Sequence, residues 1–235
     1  MNYAGADIAR IAAEYERRTR EIPADYYALS RQANLLMHTH TLRASINMLR
    51  RAALFPLEGR RIADIGCGNG SWLLEYVQWG AYPADLAGID LMPERIALAR
   101  TRLPDADLQI GTASELPWPD ESFDLVTQSL VFMNMSDPAL KQAVAHEMLR
   151  VLRPGGAILW FDLRVNNPRN PRAHGVRAAE IRRLFQGCRV TLCPALLAPP
   201  LARLIAGWSW PLADALQTIP CLCTHYAGLI RKPRA

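Results

Sequence analysis

Apolar residues recur every three or four positions through the first part of the chain, which is the spacing of an amphipathic helix. Pro23 separates two such stripes and is expected to end the first helix. We therefore predict an N-terminal helical lid, or cap, over residues 1–56. The first stripe comprises Ile8, Ile11, Ala12 and Tyr15, and the second comprises Leu35, Leu42, Ile46, Leu49 and Ala53.

Beyond residue 56 the pattern changes to short apolar runs that alternate with helix-like segments. In chain order the runs are RIADI, LAGID, DLQI, FDLVTQ and GAILWFD. Strands that alternate with helices predict a parallel sheet with helices on both faces, so the expected fold class is α/β. Ser136, Asp137 and Pro138 mark the start of one helix, because proline is favoured at the first helical position. The expected core spans residues 57–193.

The C-terminal part of the chain departs from this alternation. A sixth strand is predicted over residues 189–193 and a seventh over residues 224–231. Between them lies an apolar segment, 194–223, which we expect to be a helical insertion before the last strand. Residues 224–235 then form the last strand of the core and a tail.

Charged residues and prolines interrupt the apolar insertion. Arg203 and Asp214 prevent it from being a clean membrane span. Helices that cover the sheet or pair two subunits are the favoured interpretation. The alternative is a wall for a lipid-like acceptor, or contact with a membrane surface through residues 194–220, which Trp208 and Trp210 suggest.

The composition limits the number of domains and the partners. With 235 residues, 50% of them hydrophobic, the chain can bury one sizeable core but has little material for a second. The net charge of +5 comes from scattered basic residues, so we expect no DNA binding and disfavour RNA binding. Cys221 and Cys223 form a CxC pair without a second pair, so no metal site is expected. The N-terminus lacks the apolar run of a secretory signal, and we expect a cytoplasmic monomer or homodimer.

A glycine-rich turn carries the first chemical signal. It reads ADIGCGNG over residues 63–70 and lies between a predicted strand and a predicted helix that begins at Ser71. Glycines let the backbone approach a ligand closely, and a helix N-terminus offers N–H groups to a carboxylate or phosphate. Asp90 ends the next strand, at the spacing where an acid binds ribose hydroxyls in nucleotide-binding βαβ units. A tight turn, with Asp90 as a capping residue, remains the structural alternative.

Four consecutive segments resemble the motifs of class I S-adenosylmethionine-dependent methyltransferases in order and spacing. They read ADIGCGNG, AGIDLMPERIALAR, GTASELPWPDESFDLV and MLRVLRPGGAILWFD, and the similarity runs from about Arg60 to Asp162. The resemblance is to the small-molecule group that includes quinone and sterol ring methylators. It implies a Rossmann-like, seven-stranded, mostly parallel sheet whose last strand is antiparallel. It also implies S-adenosylmethionine as cofactor, S-adenosylhomocysteine as product, and a small, partly apolar acceptor methylated on O, N or C.

The same resemblance implies which residues contact the cofactor. The glycine turn and Asp64 are expected to face the methionine end, and Asp90 to hold the ribose. The segment 111–115 resembles the family's adenine-edge loop, but Thr112 stands where the family usually has an acid. The expected cofactor-binding residues are Asp64, Gly66, Cys67, Gly68, Asn69, Gly70, Asp90, Leu91, Thr112, Ala113 and Gln128.

The sequence indicates the catalytic residues less clearly than the cofactor-binding residues. Methyl transfer needs an aligned nucleophile and exclusion of water, whereas a general base is optional. His38 lies at the edge of the second apolar stripe and His40 on the opposite side; for both, a packing or surface role is the alternative. Arg164 and Asn167 lie in a polar loop after the fifth strand and are hypothesised to contact the acceptor. The candidates considered are His38, His40, Asp162, Arg164 and His225, and those retained as catalytic candidates are His38, Asp162 and Arg164.

Other functional classes fit these residues less well. A nicotinamide-binding fingerprint GxGxxG would need Gly or Ala at position 71, where this chain has Ser71, and its third glycine comes one residue earlier at Gly70. Enzymes that methylate amines of nucleic-acid bases carry prolines and an aromatic residue after the fourth strand, where this chain reads QSLV. Two alternatives to an active small-molecule methyltransferase stay open: a non-catalytic domain that binds a partner, and an RNA methyltransferase.

Overall fold

The computed structural model describes residues 3–23, 25–167, 170 and 172–234 of the chain. The strands form one seven-stranded sheet in the order β3-β2-β1-β4-β5-β7-β6, with β1 (Ile62–Ile65), β2 (Leu86–Asp90), β3 (Asp107–Ile110), β4 (Phe123–Ser129), β5 (Leu152–Leu163), β6 (Arg189–Leu197) and β7 (Cys223–Arg231). Strands β1 to β5 pair in parallel. Strand β7 pairs antiparallel with both β5 and β6. The mostly parallel sheet and its antiparallel last strand confirm the predicted fold class.

Two helices precede the sheet, and the others connect its strands. They are α1 (Tyr3–Glu21), α2 (Gln32–Arg51), α3 (Ser71–Gln78), α4 (Pro93–Arg102), α5 (Pro138–Val151), α6 (Ala178–Leu184), α7 (Pro199–Ile205) and α8 (Trp210–Gln217). Helix α5 begins as predicted, with Pro138 as its first residue. The Asp137 side chain accepts a hydrogen bond from the N–H of Ala139 at 2.9 Å, an N-cap that stabilises such a helix by about 1 kcal/mol.

Helices cover both faces of the sheet because its central strands are apolar on both sides. Helices α1, α5 and α6 pack on one face, where the buried Trp160 contacts Phe132 and Phe185 with ring centroids 4.7 and 5.9 Å apart. Helices α2, α3 and α4 pack on the other face. The face that each helix covers decides which side chains can reach the carboxyl ends of β1, β2 and β4, where ligands bind in open α/β sheets.

The boundary between the sixth strand and the insertion differs from the prediction. Strand β6 continues through Leu197 and pairs with β7 along that length, so residues 194–197 are strand rather than helical insertion. Pro194 does not end the strand because β6 lies at the edge of the sheet, where a missing N–H leaves no ladder partner unpaired. Strand β7 begins at Cys223, one residue earlier than predicted.

The helices of the insertion cover part of the core. Ala202 and Ile205 of α7 and Ala213 of α8 are buried in one cluster with Leu36 of α2. The described part of the chain contains no helix that is both long and apolar enough to cross a membrane. Contact with a membrane surface, the oligomeric state, the cytoplasmic location and the division of the chain at residue 56 stay predictions.

Candidate active site

The glycine turn between β1 and α3 is anchored to the neighbouring strand β2. The backbone N–H groups of Gly66 and Cys67 donate to the carbonyl of Ile89 at 2.8 and 3.0 Å. Gly66 has a φ of +72°, and a Cβ at this position would lie 2.6 Å from Cγ2 of Val131. Both observations require glycine, so the turn passes close to the segment that follows β4.

Asp90 joins the turn to the start of α4. One carboxylate oxygen accepts from the N–H of Gly68 at 2.9 Å, and the other accepts from the N–H of Met92 at 3.0 Å. Each carboxylate oxygen can accept a further hydrogen bond. The acid predicted to hold a ribose is thus fixed in orientation at the carboxyl end of β2.

A cleft of about 610 Å³ opens in front of the glycine turn, and we call it the loop cleft. Five of the residues expected to bind the cofactor line it: Gly66, Asp90, Leu91, Thr112 and Ala113. The Thr112 hydroxyl is hydrogen-bonded to the Ser114 hydroxyl at 2.9 Å. The remaining lining residues are Ile8, Ile11, Tyr15, Ile89, Gly111, Ser129, Val131, Asn134, Met135, Leu140 and Val144.

Other expected cofactor residues support the cleft from behind. Asp64 is buried, and its carboxylate accepts from the Thr127 hydroxyl at 2.7 Å. Burial raises the pKa of Asp64 to about 7, the nearby Asp90 charge adds to the rise, and the Thr127 hydrogen bond opposes it. The Gln128 side chain is also buried, and its oxygen accepts from the N–H of Val131 at 3.2 Å.

The remaining predicted turn residues also lie outside the loop cleft lining. Cys67 is buried beside Gly88 of β2, where a Cβ would meet its sulfur at 2.8 Å. Asn69 accepts a hydrogen bond from the Ser71 hydroxyl at 2.7 Å. Gly70 has a φ of +79° and is the N-cap of α3. These residues shape the turn and the start of the helix, and their contact with a cofactor stays a prediction.

Helix α1, which belongs to the predicted N-terminal lid, covers the loop cleft, although the sequence did not show which surface this helix would cover. Ile8, Ile11 and Tyr15 line it. The Arg95 guanidinium of α4 lies over the Tyr15 ring, 4.4 Å from its centroid, and so holds α1 against the cleft. The apolar stripe of α1 was visible in the sequence, but a stripe shows only that a helix has a buried face and not which surface buries it.

A second cleft of about 710 Å³ lies on the sheet face covered by α2 and α3, and we call it the aromatic cleft. Ser129, at the end of β4, lines both this cleft and the loop cleft. Both clefts therefore reach Ser129, at the carboxyl end of β4. The other residues of the aromatic cleft are Tyr27, Leu29, Asn34, Met37, His38, Thr41, Trp72, Leu130, Phe161, Leu196 and His225.

The histidine candidates occupy different environments. His38 lines the aromatic cleft, and its Nε2 lies 3.1 Å from Oε1 of Glu75 on α3. His40 is 1% exposed, and its Nε2 lies 2.8 Å from Oδ1 of Asp214 on α8. Burial lowers the pKa of His40, although Asp214 opposes the shift. His40 therefore ties α2 to α8, whereas His38 lies at the wall of the aromatic cleft.

Asp162 and Arg164, retained as catalytic candidates, make structural contacts instead of lining either cleft. The Asp162 carboxylate is fully buried and accepts from the N–H groups of Phe132 and Leu163 at 2.9 and 2.8 Å. Burial raises the pKa of Asp162 to about 7, against the effect of these hydrogen bonds. Arg164 donates to the carbonyls of Pro220 and Cys223 at 2.7 and 3.3 Å. Asp162 thus holds the segment after β4, and Arg164 holds the segment before β7.

The acceptor-contact hypothesis for the loop after β5 gains no support from these positions. Asn167, like Arg164, lies outside the lining of both clefts. Residues 168, 169 and 171 of the same loop lie outside the described residues. A contact of Arg164 or Asn167 with an acceptor stays a prediction.

The central part of the chain matches a known domain. Residues 63–160 match the family profile described as a methyltransferase domain. This segment is a methyltransferase domain. The class I, S-adenosylmethionine-dependent resemblance read from the four motifs is thereby confirmed for the core, and S-adenosylmethionine is the cofactor that this domain implies.

Curated relatives match the same region. The chain is 37% identical to phthiotriol/phenolphthiotriol dimycocerosates methyltransferase from Mycobacterium tuberculosis over 147 residues, 61% of this chain and 53% of the relative. It is 35% identical to demethylmenaquinone methyltransferase from Deinococcus radiodurans over 131 residues, 54% of this chain and 50% of the relative. The aligned region thus spans about half the length of these curated relatives.

Solved structures share the fold over most of the chain. Geranyl diphosphate methyltransferase in complex with SAM superposes with a TM-score of 0.62 at 16% identity, covering 92% of each chain. A [4+2]-cyclase, SpnF, superposes with a TM-score of 0.61 at 20% identity, covering 83% of this chain and 82% of the other. At such low identity these structures show the fold alone, and the cyclase illustrates that the fold by itself does not decide the reaction.

Proposed function

We propose that this chain binds S-adenosylmethionine in the loop cleft and transfers its methyl group to a small, partly apolar acceptor in the aromatic cleft. The observation that carries the proposal is that Ser129, at the end of β4, lines both clefts, so molecules bound in the two clefts would both reach this residue. A methyl group can pass between two bound molecules only if their sites meet. The methyltransferase domain over residues 63–160 also supports the proposal, because it contains the glycine turn, Asp90 and β4.

The residues of the loop cleft fit the cofactor. The Asp90 carboxylate has acceptor capacity left for ribose hydroxyls after its two backbone hydrogen bonds. Ile89 and Leu91 offer apolar walls for an adenine ring, and the Thr112 hydroxyl lies in the same lining. Gly66 presents backbone without a side chain where the methionine end would lie. When bound there, S-adenosylmethionine supplies an activated methyl group on a sulfonium.

The protein's own contribution is to align the acceptor and exclude water. Helix α1 covers the loop cleft, and α2 and the segment containing Tyr27 and Leu29 border the aromatic cleft. In-line displacement needs the nucleophile held against the methyl group, and that alignment accounts for several kcal/mol of the barrier in well-oriented reactions. The chain therefore needs a close-fitting acceptor site more than it needs a reactive side chain.

The lining of the aromatic cleft favours an apolar acceptor. Met37, Trp72, Leu130, Phe161 and Leu196 are among its lining residues, which favours burial of a hydrocarbon or aromatic surface. The names of the relatives point the same way, since one acts on phthiotriol dimycocerosates and another on demethylmenaquinone. We extend the class of acceptor, a lipid or ring compound, to this chain as part of the proposal.

A transfer assay with S-adenosylmethionine labelled in its methyl group tests the proposal. The acceptors would be a hydroquinone, a phenol with an alkyl tail and a long-chain diol. We expect label in at least one of them with the wild type and with Asp105→Asn, an exposed-acid control, and at least a tenfold lower rate with Asp90→Asn, since loss of a charge-assisted hydrogen bond costs about 1.5–3 kcal/mol. Cofactor binding without transfer to any acceptor would favour the non-catalytic alternative, and equal rates in both variants would overturn the assigned site.

A further inference from the structure

A histidine and a carboxylate from different helices meet at the wall of the aromatic cleft. His38 of α2 and Glu75 of α3 are separated by 37 positions in the chain, and Nε2 lies 3.1 Å from Oε1. Both side chains are partly exposed, at 30% and 26%. A carboxylate at one ring nitrogen holds that nitrogen as the N–H donor, so the lone pair lies on the other nitrogen, Nδ1. This is the arrangement of an oriented general base.

The second histidine of the cleft has a different character. His225 is 7% exposed, and its ring stacks on Phe161 with centroids 5.1 Å apart and an interplanar angle of 10°. Its Nδ1 lies 3.0 Å from the Thr224 hydroxyl. Burial lowers the pKa of His225 to about 4, so it stays neutral near pH 7. His225 and Phe161 together form a flat, uncharged wall.

The walls of the cleft fit a flat ring whose polar group faces His38. Trp72 and the Phe161–His225 pair provide aromatic surfaces, and aromatic rings pack on one another in stacked or edge-to-face arrangements. The described lining residues of this cleft include no carboxylate and no lysine. Besides His38, the titratable groups there are Tyr27 and His225, and Glu75 contacts His38 directly. His38 is thus the lining side chain that is paired with a carboxylate.

Whether a base is needed for methyl transfer depends on the chemical class of the acceptor. A neutral amine already carries a lone pair and needs no base before it attacks, whereas a phenol or enol is a much better nucleophile once its proton is removed. Building on the proposed function, we propose that the acceptor is a phenolic or enolic hydroxyl compound whose proton is taken by Nδ1 of His38, with Glu75 as the positioning residue.

The step balances without a further reactant. The hydroxyl proton moves to Nδ1 of His38 as the acceptor oxygen uses its electron pair to form the bond to the methyl carbon. The bond between sulfur and the methyl carbon breaks, and its electron pair stays on sulfur, giving the thioether product. The proton then leaves His38 for solvent, so one proton is released for each methyl group transferred.

The proton transfer can be tested without turnover by using 4-nitrophenol, which absorbs visible light only as the phenolate. At a pH below the phenol's own pKa, we expect the wild type to increase the phenolate signal on binding. His38→Gln should reduce the bound phenolate about tenfold, equivalent to about one unit in the pKa of the bound phenol. His146→Gln, on the exposed face of α5, is the matched control and should behave as the wild type.

The role of Glu75 can be tested by measuring which nitrogen of the His38 ring carries the proton. Nitrogen NMR of the histidine side chains should show His38 with its proton on Nε2 in the wild type, and a mixture of tautomers in Glu75→Gln. An unchanged tautomer in that variant would remove Glu75 as the positioning residue. Equal phenolate signals in the wild type and His38→Gln, or no bound phenol with the wild type, would overturn the base assignment.

Calorimetric titration with S-adenosylmethionine separates this inference from the proposed function. If the wild type and His38→Gln bind the cofactor equally but form no phenolate, the base assignment fails and the proposed function stands. If the wild type binds no cofactor, the proposed function fails, whatever the phenol measurement shows.

Discussion

Asp7 of α1 caps the segment that leads into α5. Its carboxylate accepts from the backbone N–H groups of Ser136 and Asp137 at 2.8 and 3.0 Å, and from the Ser136 hydroxyl at 2.8 Å. Burial alone would raise the pKa of Asp7, but the hydrogen bonds from Asp137, Ser136 and Arg10 outweigh it and lower the pKa to about 2. The helix that covers the loop cleft is therefore fastened near its N-terminal end by ionised side chains, since Arg10 also donates to the carbonyl of Asn134.

Removing this fastening should weaken cofactor binding without unfolding the core. Loss of hydrogen bonds to a charged group costs about 1.5–3 kcal/mol, so Asp7→Ala should reduce affinity for S-adenosylmethionine by at least about tenfold. Hydrogen exchange of the α1 amides should become faster in the same variant. Glu16→Ala, on the exposed side of α1, is the control. Equal affinity in both variants would show that α1 does not close the site.

Acid should release the same contact. The folded pKa of Asp7 lies below its ordinary value, so its contribution to stability is present above about pH 4 and is lost as the pH falls towards about 2. Hydrogen exchange of α1 in the wild type should therefore rise over that range before the sheet unfolds. Simultaneous exchange of α1 and the sheet would contradict this order.

Gly66 offers a test of the close approach between the turn and the segment after β4. Gly66→Ala introduces strain at a positive φ and a Cβ 2.6 Å from Cγ2 of Val131. Gly59→Ala is the matched control, because Gly59 has a φ of +66° and no atom within 4 Å of the added Cβ. The control should lose about 1–2 kcal/mol in free energy of unfolding, and Gly66→Ala should lose a further 1–3 kcal/mol or so.

A second substitution separates the clash from the strain. Val131→Ala removes the methyl group that the new Cβ would meet, so the double variant should regain stability relative to Gly66→Ala and match the Gly59→Ala control. Chemical denaturation measures all four proteins. Equal losses for Gly66→Ala and Gly59→Ala would mean that the turn does not pack against Val131.

Asp64 should make stability depend on pH. Its folded pKa is raised to about 7 by burial, so the stabilising effect of its neutral form is present below about pH 4 and is lost as the pH rises towards 7. Asp64→Asn keeps an oxygen for the Thr127 hydroxyl and cannot ionise. The free energy of unfolding of this variant, relative to the wild type, should increase by about 2 kcal/mol between pH 5 and pH 8. A difference that does not vary with pH would show that Asp64 titrates normally.

Elements set by local patterns could be predicted from the sequence. The apolar runs predicted strands β1 to β5, and Pro138 predicted the start of α5. The spacing of Asp90 from the glycine turn predicted a ligand-binding acid, and Asp90 lines the loop cleft. The end of β6 was missed, because the predicted strand stops at residue 193, whereas the position of β6 at the sheet edge lets the strand continue through Pro194.

The contacts that complete the site could not be predicted, because they join segments distant in the chain. Glu75 meets His38 only after α2 and α3 pack on the same face of the sheet. Tyr15 enters the loop cleft only because α1 packs on the opposite face. Arg164 is polar and follows β5, which suggested a ligand contact, yet the carbonyls of Pro220 and Cys223 accept from it.

Calorimetric titration of the purified protein with S-adenosylmethionine and S-adenosylhomocysteine, alongside Asp90→Asn and the exposed-acid control Asp105→Asn, tests the cofactor site most directly. We predict one site per chain in the wild type and the control, and at least about tenfold weaker binding in Asp90→Asn with its thermal unfolding still cooperative. No binding to the wild type, or equal affinity in Asp90→Asn, would contradict the assignment of the loop cleft as the cofactor site.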